Sequence, residues 1–198
     1  MVNGDQNIMV ILSSPSGVGK TTLTKKIQQK YRSFKISVSH TTRAARSNEV
    51  EGVDYFFINH SQFEKLIKEK KFYEYAKIFD NYYGTLKSNV DENIKNNDIL
   101  FDIDWQGTKQ LSKFKSLNLI KIYLITDKKE LKSRLTKRNQ NTDEEVKKRF
   151  DSFDEDIKHW NDYDYIIINQ NLENCFRQIE SIIETNKTKL NFSFQKTQ

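Results

Sequence analysis

Ser13-Ser14-Pro15-Ser16-Gly17-Val18-Gly19-Lys20-Thr21-Thr22 follows five apolar residues, Ile8 to Leu12, and precedes a segment in which Leu23 and Ile27 stand four apart. The order is strand, glycine loop, helix. Gly17 and Gly19 open backbone conformations closed to residues with a Cβ, so that successive N–H groups can turn inward toward phosphate oxygens. The helix that starts there adds the positive end of its dipole. In a loop of this kind Lys20 reaches the β and γ phosphates and the Thr21 hydroxyl ligates Mg²⁺. Ser14, Ser16, Val18 and Thr22 complete the candidate ATP cradle. The usual pattern, G-x-x-x-x-G-K-[ST], has glycine where this chain has Ser14.

The 198 residues suffice for one domain with a small insertion, not for two full domains. Charged residues at 30% and hydrophobic ones at 36% suit a globular chain with a solvated surface. The longest apolar runs fall far short of the roughly 18 residues a membrane span needs. Met1 to Asn7 lacks an apolar core, so no secretory signal is expected. Cys175 is the only cysteine, which excludes an intramolecular disulfide and favours a reducing cytoplasm. A net charge of +6 attracts phosphate on nucleotides, nucleic acid or lipid without choosing among them. No basic run interleaved with aromatics points to nucleic acid. Cys175, His60 and His159 show no metal-ligand spacing and read as packing or surface residues.

Ile8 to Leu12, Ile99 to Ile103, Leu119 to Ile125 and Tyr165 to Ile168 are short apolar runs of the kind found in parallel strands buried on both faces. Helix-period segments lie between and after them: Lys20 to Tyr31, Gln106 to Phe114, Lys128 to Arg138, Asp143 to Trp160 and Leu172 to Lys187. The alternation predicts a three-layer α/β domain around a central parallel sheet. From about Phe34 to Leu86 the rhythm changes. Phe34, Ile36 and Val38 alternate with polar residues as in a half-exposed antiparallel strand. Tyr55 to Ile58 and Phe72 to Ile78 look similar, with a helix near Ser61 to Lys71 between them. The expected division is therefore a core of residues 1–33, 87–127 and 161–188, a mixed β/α insertion at 34–86, a helical lid with its following helix at 128–160, and a frayed tail at 189–198.

The insertion carries candidates for a second phosphate site. Arg43 and Arg46 stand three apart in the hydroxyl-rich stretch Ser39 to Arg46, suited to capture of a phosphate monoester. A pocket selecting guanine, which offers donors at N1 and N2 and an acceptor at O6, needs a carboxylate beside a hydroxyl; Glu74 with Thr85 or Ser39 would supply it. Adenine would leave that carboxylate unpaired, a mismatch that discriminates by roughly 10⁴-fold. Asp102 and Asp104 follow a buried strand where α/β sheets place ligands, and either could meet Mg²⁺ or a purine amino group, Asp104 also being placed to cap a helix. Arg134, Arg138 and Arg149 lie on a candidate helical hairpin that could cover the γ phosphate and exclude water.

Ser14-Pro15-Ser16-Gly17-Val18-Gly19-Lys20, Ser37-Val38-Ser39-His40-Thr41-Thr42-Arg43 with Arg46, Gly52-Val53-Asp54-Tyr55, Tyr82-Tyr83-Gly84-Thr85 and Ile103-Asp104-Trp105-Gln106-Gly107 together resemble the guanylate kinases, over about residues 8–187. The resemblance implies a P-loop nucleoside monophosphate kinase that moves the γ phosphate of Mg·ATP to GMP. By analogy Arg43, Arg46, Tyr55 and Tyr83 hold the GMP phosphate, and Ser39, Glu74, Thr85 and Asp104 frame the guanine. Thr21 and Asp102 would serve Mg²⁺, and Lys20 with Arg43, Arg134, Arg138 and Arg149 the transferring phosphate. Asn169 would lie near adenine, although Gln170-Asn171 stands where acidic residues are common. ATP and GMP are the expected partners of a monomer or homodimer. Guanylate-kinase-like domains also occur as phosphate-binding modules in scaffolds, but Gly17, Gly19, Lys20 and Thr21 are intact here.

Overall fold

The computed structural model describes residues 7–137 and 143–195. Met9–Ser13 forms β1, buried throughout because both of its faces are covered: Val10 and Leu12 enter one core, Met9 and Ile11 the other. The loop then leads into α1 (Lys20–Lys30), whose Leu23 and Ile27 are fully buried against that first core. Phe34–Ile36 is β2. Here the sequence reading is corrected, because this strand pairs in parallel inside the main sheet and not as an antiparallel strand of the insertion. Its alternation has another origin, namely an edge strand that buries Phe34 while Lys35 faces out.

The insertion follows as β3 (His40–Thr41), β4 (Phe56–Phe57), α2 (His60–Lys68), β5 (Phe72–Ile78) and β6 (Asn81–Leu86). These strands form a separate sheet in the order β4-β3-β6-β5, parallel only between β3 and β4. A capping box begins α2, with Asn59 accepting from Gln62 N and Gln62 reaching back. Next come α3 (Lys87–Asn93), β7 (Asp98–Asp102), α4 (Trp105–Leu111) and β8 (Leu119–Ile125). The chain continues through α5 (Lys128–Lys137), α6 (Asp143–Asp151), α7 (Phe153–Asp156), a 3₁₀ turn at Ile157–Asp162, β9 (Tyr165–Ile168) and α8 (Leu172–Gln195).

The main sheet is parallel throughout, ordered β2-β7-β1-β8-β9. Side chains from α1, α5, α7 and α8 cover one face, and α3 and α4 contribute to the core on the other. The architecture is thus α/β with a central parallel sheet and a second mixed sheet. Two expectations change along the way. The single helix expected from Asp143 to Trp160 is interrupted at Ser152 and tightens into the 3₁₀ turn, and α8 runs on to Gln195, past the expected fraying at Lys189. Among the described residues no helix is long and apolar enough to cross a membrane.

One polar knot ties the last helix to the sheet. Asp98, 2% exposed, accepts from Ile8 N at 3.0 Å, Ser33 Oγ at 2.7 Å and Lys187 Nζ at 2.6 Å. Lys187 Nζ also lies 5.3 Å from the centre of the Phe34 ring. Removing the carboxylate strands three donors, so Asp98→Ala is expected to lose about 3 kcal/mol of stability. A thermal midpoint lowered by roughly 6–12 °C would show it.

Candidate functional site

Gly17 and Gly19 both adopt positive φ, 91° and 105°. At Gly19 this conformation forms the N-cap of α1, and no side chain caps that end. The first-turn N–H groups, with no acidic residue in that turn, make a site for an external anion. A Cβ on Gly17 would come within 2.7 Å of Leu135 Cδ2, and one on Gly19 within 2.9 Å of Asn169 Nδ2, so the loop is seated closely on α5 and on the end of β9. Asn169 Nδ2 and Arg134 Nη1 donate to the Val18 carbonyl at 2.7 and 2.8 Å. Arg134 Nη2 adds a bond to Asn169 O at 2.9 Å. Asn169, 1% exposed, thus braces the phosphate loop from beneath. Arg149 Nη1 approaches Ser16 Oγ at 3.4 Å, and Ser14 Oγ turns to the Pro15 carbonyl at 2.9 Å. Thr21 and Thr22 are exposed in the first turn of α1. Arg138 lies outside the described residues.

Lys20 reaches across to the carboxyl end of β7, where Nζ meets Asp102 Oδ1 at 2.8 Å and donates to Ile103 O at 2.9 Å. Asp102 Oδ2 accepts from Thr24 Oγ1 at 3.3 Å. The next residue after Ile103 is Asp104, whose Oδ1 accepts from Gly107 N at 3.0 Å and so caps α4. Of the readings the sequence allowed for these acids, the capping of a helix by Asp104 is seen directly, and Asp102 is paired with the loop lysine.

Glu74 enters from β5, paired in register with Thr85 of β6. It is 2% exposed and packs against Gly107, where a Cβ would lie 2.5 Å from Oε2. Only glycine lets α4 approach this carboxylate. Burial pushes the Glu74 carboxyl up to about 7; the nearby Thr85 hydroxyl and N–H and the charge of Lys20 oppose the shift, and the charge of Asp104 adds to it. Glu74 Oε1 and Thr85 Oγ1 are buried with no hydrogen-bond partner among the described residues. An acceptor and a hydroxyl left open side by side at that depth are groups a polar ligand could satisfy. Ser39, buried, stands one step beyond the His40–Gly84 pair in the β3–β6 register, on the same side as Thr85.

The arginine pair is organised by a residue the sequence reading missed. Glu49 takes Arg43 Nη2 at 2.7 and 2.9 Å, accepts from Arg46 N at 2.8 Å, and lies 3.6 Å from Arg46 Nη1. These partners hold its carboxyl below the usual range despite the opposing effect of burial. Its position three residues after Arg46 was the available signal. The Tyr55 ring lies 5.4 Å from the Arg43 guanidinium and 5.9 Å, edge-on, from the Tyr83 ring. Burial, reinforced by the charge of Asp102, raises the pKa of the Tyr55 hydroxyl above its ordinary value. Arg43 is thus joined to Arg46 through Glu49 and lies beside the packed rings of Tyr55 and Tyr83, while Glu74, Thr85 and Ser39 neighbour one another across β5, β6 and the start of β3.

A family model described as guanylate kinase matches residues 6–186. A guanylate kinase from Novosphingobium aromaticivorans is 39% identical over 186 residues, which are 93% of this chain and 84% of that protein. Another, from Rickettsia bellii, is 41% identical over 190 residues, covering 94% and 98% respectively. The crystal structure of guanylate kinase from Anaplasma phagocytophilum matches with a TM-score of 0.76 at 30% identity, over 91% of this chain and 86% of that one. The SH3-kinase fragment of tight junction protein 3, at 10% identity and a TM-score of 0.51, shares the fold alone. With a family model matching nearly its whole length and relatives at about 40% identity, the chain belongs to the guanylate kinase family.

Proposed function

We propose that the chain transfers the γ phosphate of Mg·ATP to GMP, giving ADP and GDP. The observation that carries this reading is the meeting of two binding devices at the end of β7: Lys20 of the anion loop bonds Ile103 O, and the adjoining Asp104 stands beside the buried carboxylate of Glu74, whose Oε1 has no hydrogen-bond partner among the described residues. An ionised Glu74 would accept from guanine N1 and N2, with Thr85 or Ser39 donating toward O6. Arg43 and Arg46 would take the GMP phosphate, steadied by Tyr55 and Tyr83. A phosphate oxygen is itself the nucleophile, so no general base is needed; positioning and charge neutralisation suffice. Arg134 and Arg149 would add positive charge over the loop and, on closing, exclude water.

The residues present also fit Mg²⁺. This ion commonly rests on substrate phosphates, waters and one or two protein oxygens, and the exposed Thr21 hydroxyl and nearby Asp102 carboxylate are of that kind. When bound it would neutralise charge on the β and γ phosphates.

Glu49→Gln tests the arginine arrangement. Losing the charge that holds Arg43 and Arg46 is expected to raise KM for GMP about tenfold, roughly 1.4 kcal/mol, with KM for ATP unmoved. Steady-state kinetics with each nucleotide varied in turn measures this. The reaction itself is tested by supplying Mg·ATP with GMP, AMP, UMP or dTMP in separate incubations and following ADP. Turnover with GMP alone is expected; equal turnover with AMP would contradict the assignment of Glu74.

A further inference from the structure

The segment between α6 and β9 grips the first turn of α4 at several points that the reading above leaves unused. Trp105, the residue after Asp104, lies face to face with His159, their rings 3.6 Å apart and inclined by 10°. The Trp105 Nε1–H points to Asp156 Oδ1 at 3.3 Å. Tyr163 OH donates to Thr108 Oγ1 at 3.0 Å, and Thr108 Oγ1 donates in turn to the Asp104 carbonyl at 2.9 Å. The gripping segment is itself anchored, since the Asp156 carbonyl accepts from buried Tyr123 OH at 2.7 Å and Phe153 is 3% exposed in the core. At its other end it continues into α6, which carries Arg149 to Ser16 of the phosphate loop.

We propose that His159 and Asp156 are positioning residues that set the guanine-side acid Asp104 by fixing Trp105 on both its face and its N–H edge, and so tie that acid to the segment bearing Arg149. This proposal rests on the GMP reading of the site and extends it to residues that touch no substrate. A flat ring against Trp105 is what His159 supplies, because its Nε2 is buried without a hydrogen-bond partner among the described residues. Asp156 supplies direction. Burial and the charge of Asp104 push its carboxyl up to about 6, while the bond from Trp105 works against that shift. Without the stack, α4 keeps its Asp104 cap and its bond from Tyr163, but the Trp105 ring loses the support of its face, and displacements of about 1 Å near reacting groups can cost up to roughly 10²-fold.

The test compares His159→Ala with His159→Phe in the full chain, with KM for GMP, KM for ATP and the thermal midpoint measured for each. The alanine variant is expected to raise KM for GMP about tenfold while KM for ATP stays within about twofold, and phenylalanine, which keeps the stack, is expected to recover most of the loss. An unchanged KM for GMP, an equal rise for both nucleotides, or no recovery with phenylalanine would overturn the proposal. Trp160→Phe leaves Trp105 as the chain's only tryptophan, so its emission reports the stack directly. That emission should shift on His159→Ala and return on His159→Phe; an unshifted spectrum would also overturn the proposal. Wild-type turnover of GMP is measured alongside, and its absence would sink the functional reading itself, whereas normal wild-type turnover with indifferent variants would count against the joint alone.

Discussion

Lys20→Ala is expected to reduce phosphoryl transfer by about 10³-fold or more while leaving the fold in place. Nothing else in the first turn of α1 offers a cation at that spot, as Gly19 precedes it and Thr21 and Thr22 follow. The fold should survive because Lys20 is not buried: its side chain is 19% exposed, and that of Asp102 is 23% exposed and keeps its contact with Thr24. Water can take the place of the lost ammonium at the Ile103 carbonyl. A melting curve within a few degrees of the parent, beside an assay that records no ADP above background, is the expected pair of results. Activity within tenfold of the parent would remove Lys20 from the phosphate site.

Glu74→Gln is expected to cost about 10³-fold in kcat/KM for GMP with little change in KM for ATP. An amide presents one acceptor and one donor group where guanine N1 and N2 both donate, so one donor meets another. The same residue gives a pH signature. Its pKa in the folded protein stands near 7 against an ordinary 4.5, so the folded state binds the proton more tightly than the unfolded one. The stabilisation linked to that proton is full below about 4.5 and is lost as pH rises toward 7, on the order of 3 kcal/mol. The parent should therefore lose more stability than Glu74→Gln between pH 5 and pH 8. Guanine binding has the opposite sign, because it needs the carboxylate: affinity for GMP should climb with pH and level off above about 7. The GMP phosphate titrates near 6 in both proteins, so the contribution of Glu74 is the difference between the two profiles. Identical profiles would place the titration elsewhere.

Where burial covers both faces of a strand, its sequence is a continuous apolar run, and β1, β7 and β8 were legible for that reason; β9 shows the same run although it is an edge strand that leaves Ile166 and Ile168 exposed. The phosphate loop was legible because its glycines are demanded by positive φ and close packing. Phe34–Ile36 misled because an edge strand exposing Lys35 alternates as an antiparallel one does. Lys87–Asn93 escaped notice because Val90 is its only buried residue, which leaves no stripe to read. The interruption at Ser152 left no mark in the periodicity, because the polar and apolar residues on either side of it keep a helical spacing. The site shows the same divide. Arg43, Arg46, Glu74 and Asp104 announce themselves by chemistry and by resemblance. Glu49 looks like one more acid in a polar loop until the fold closes it onto both arginines. Likewise the need for Gly107 is visible only once Glu74 lies against it.

The most direct measurement is ³¹P NMR of Mg·ATP and GMP incubated with the purified chain. ADP and GDP resonances are expected to grow together in equal amounts, with no inorganic phosphate, and Lys20→Ala to abolish both. Inorganic phosphate appearing with ADP, and no GDP, would contradict it.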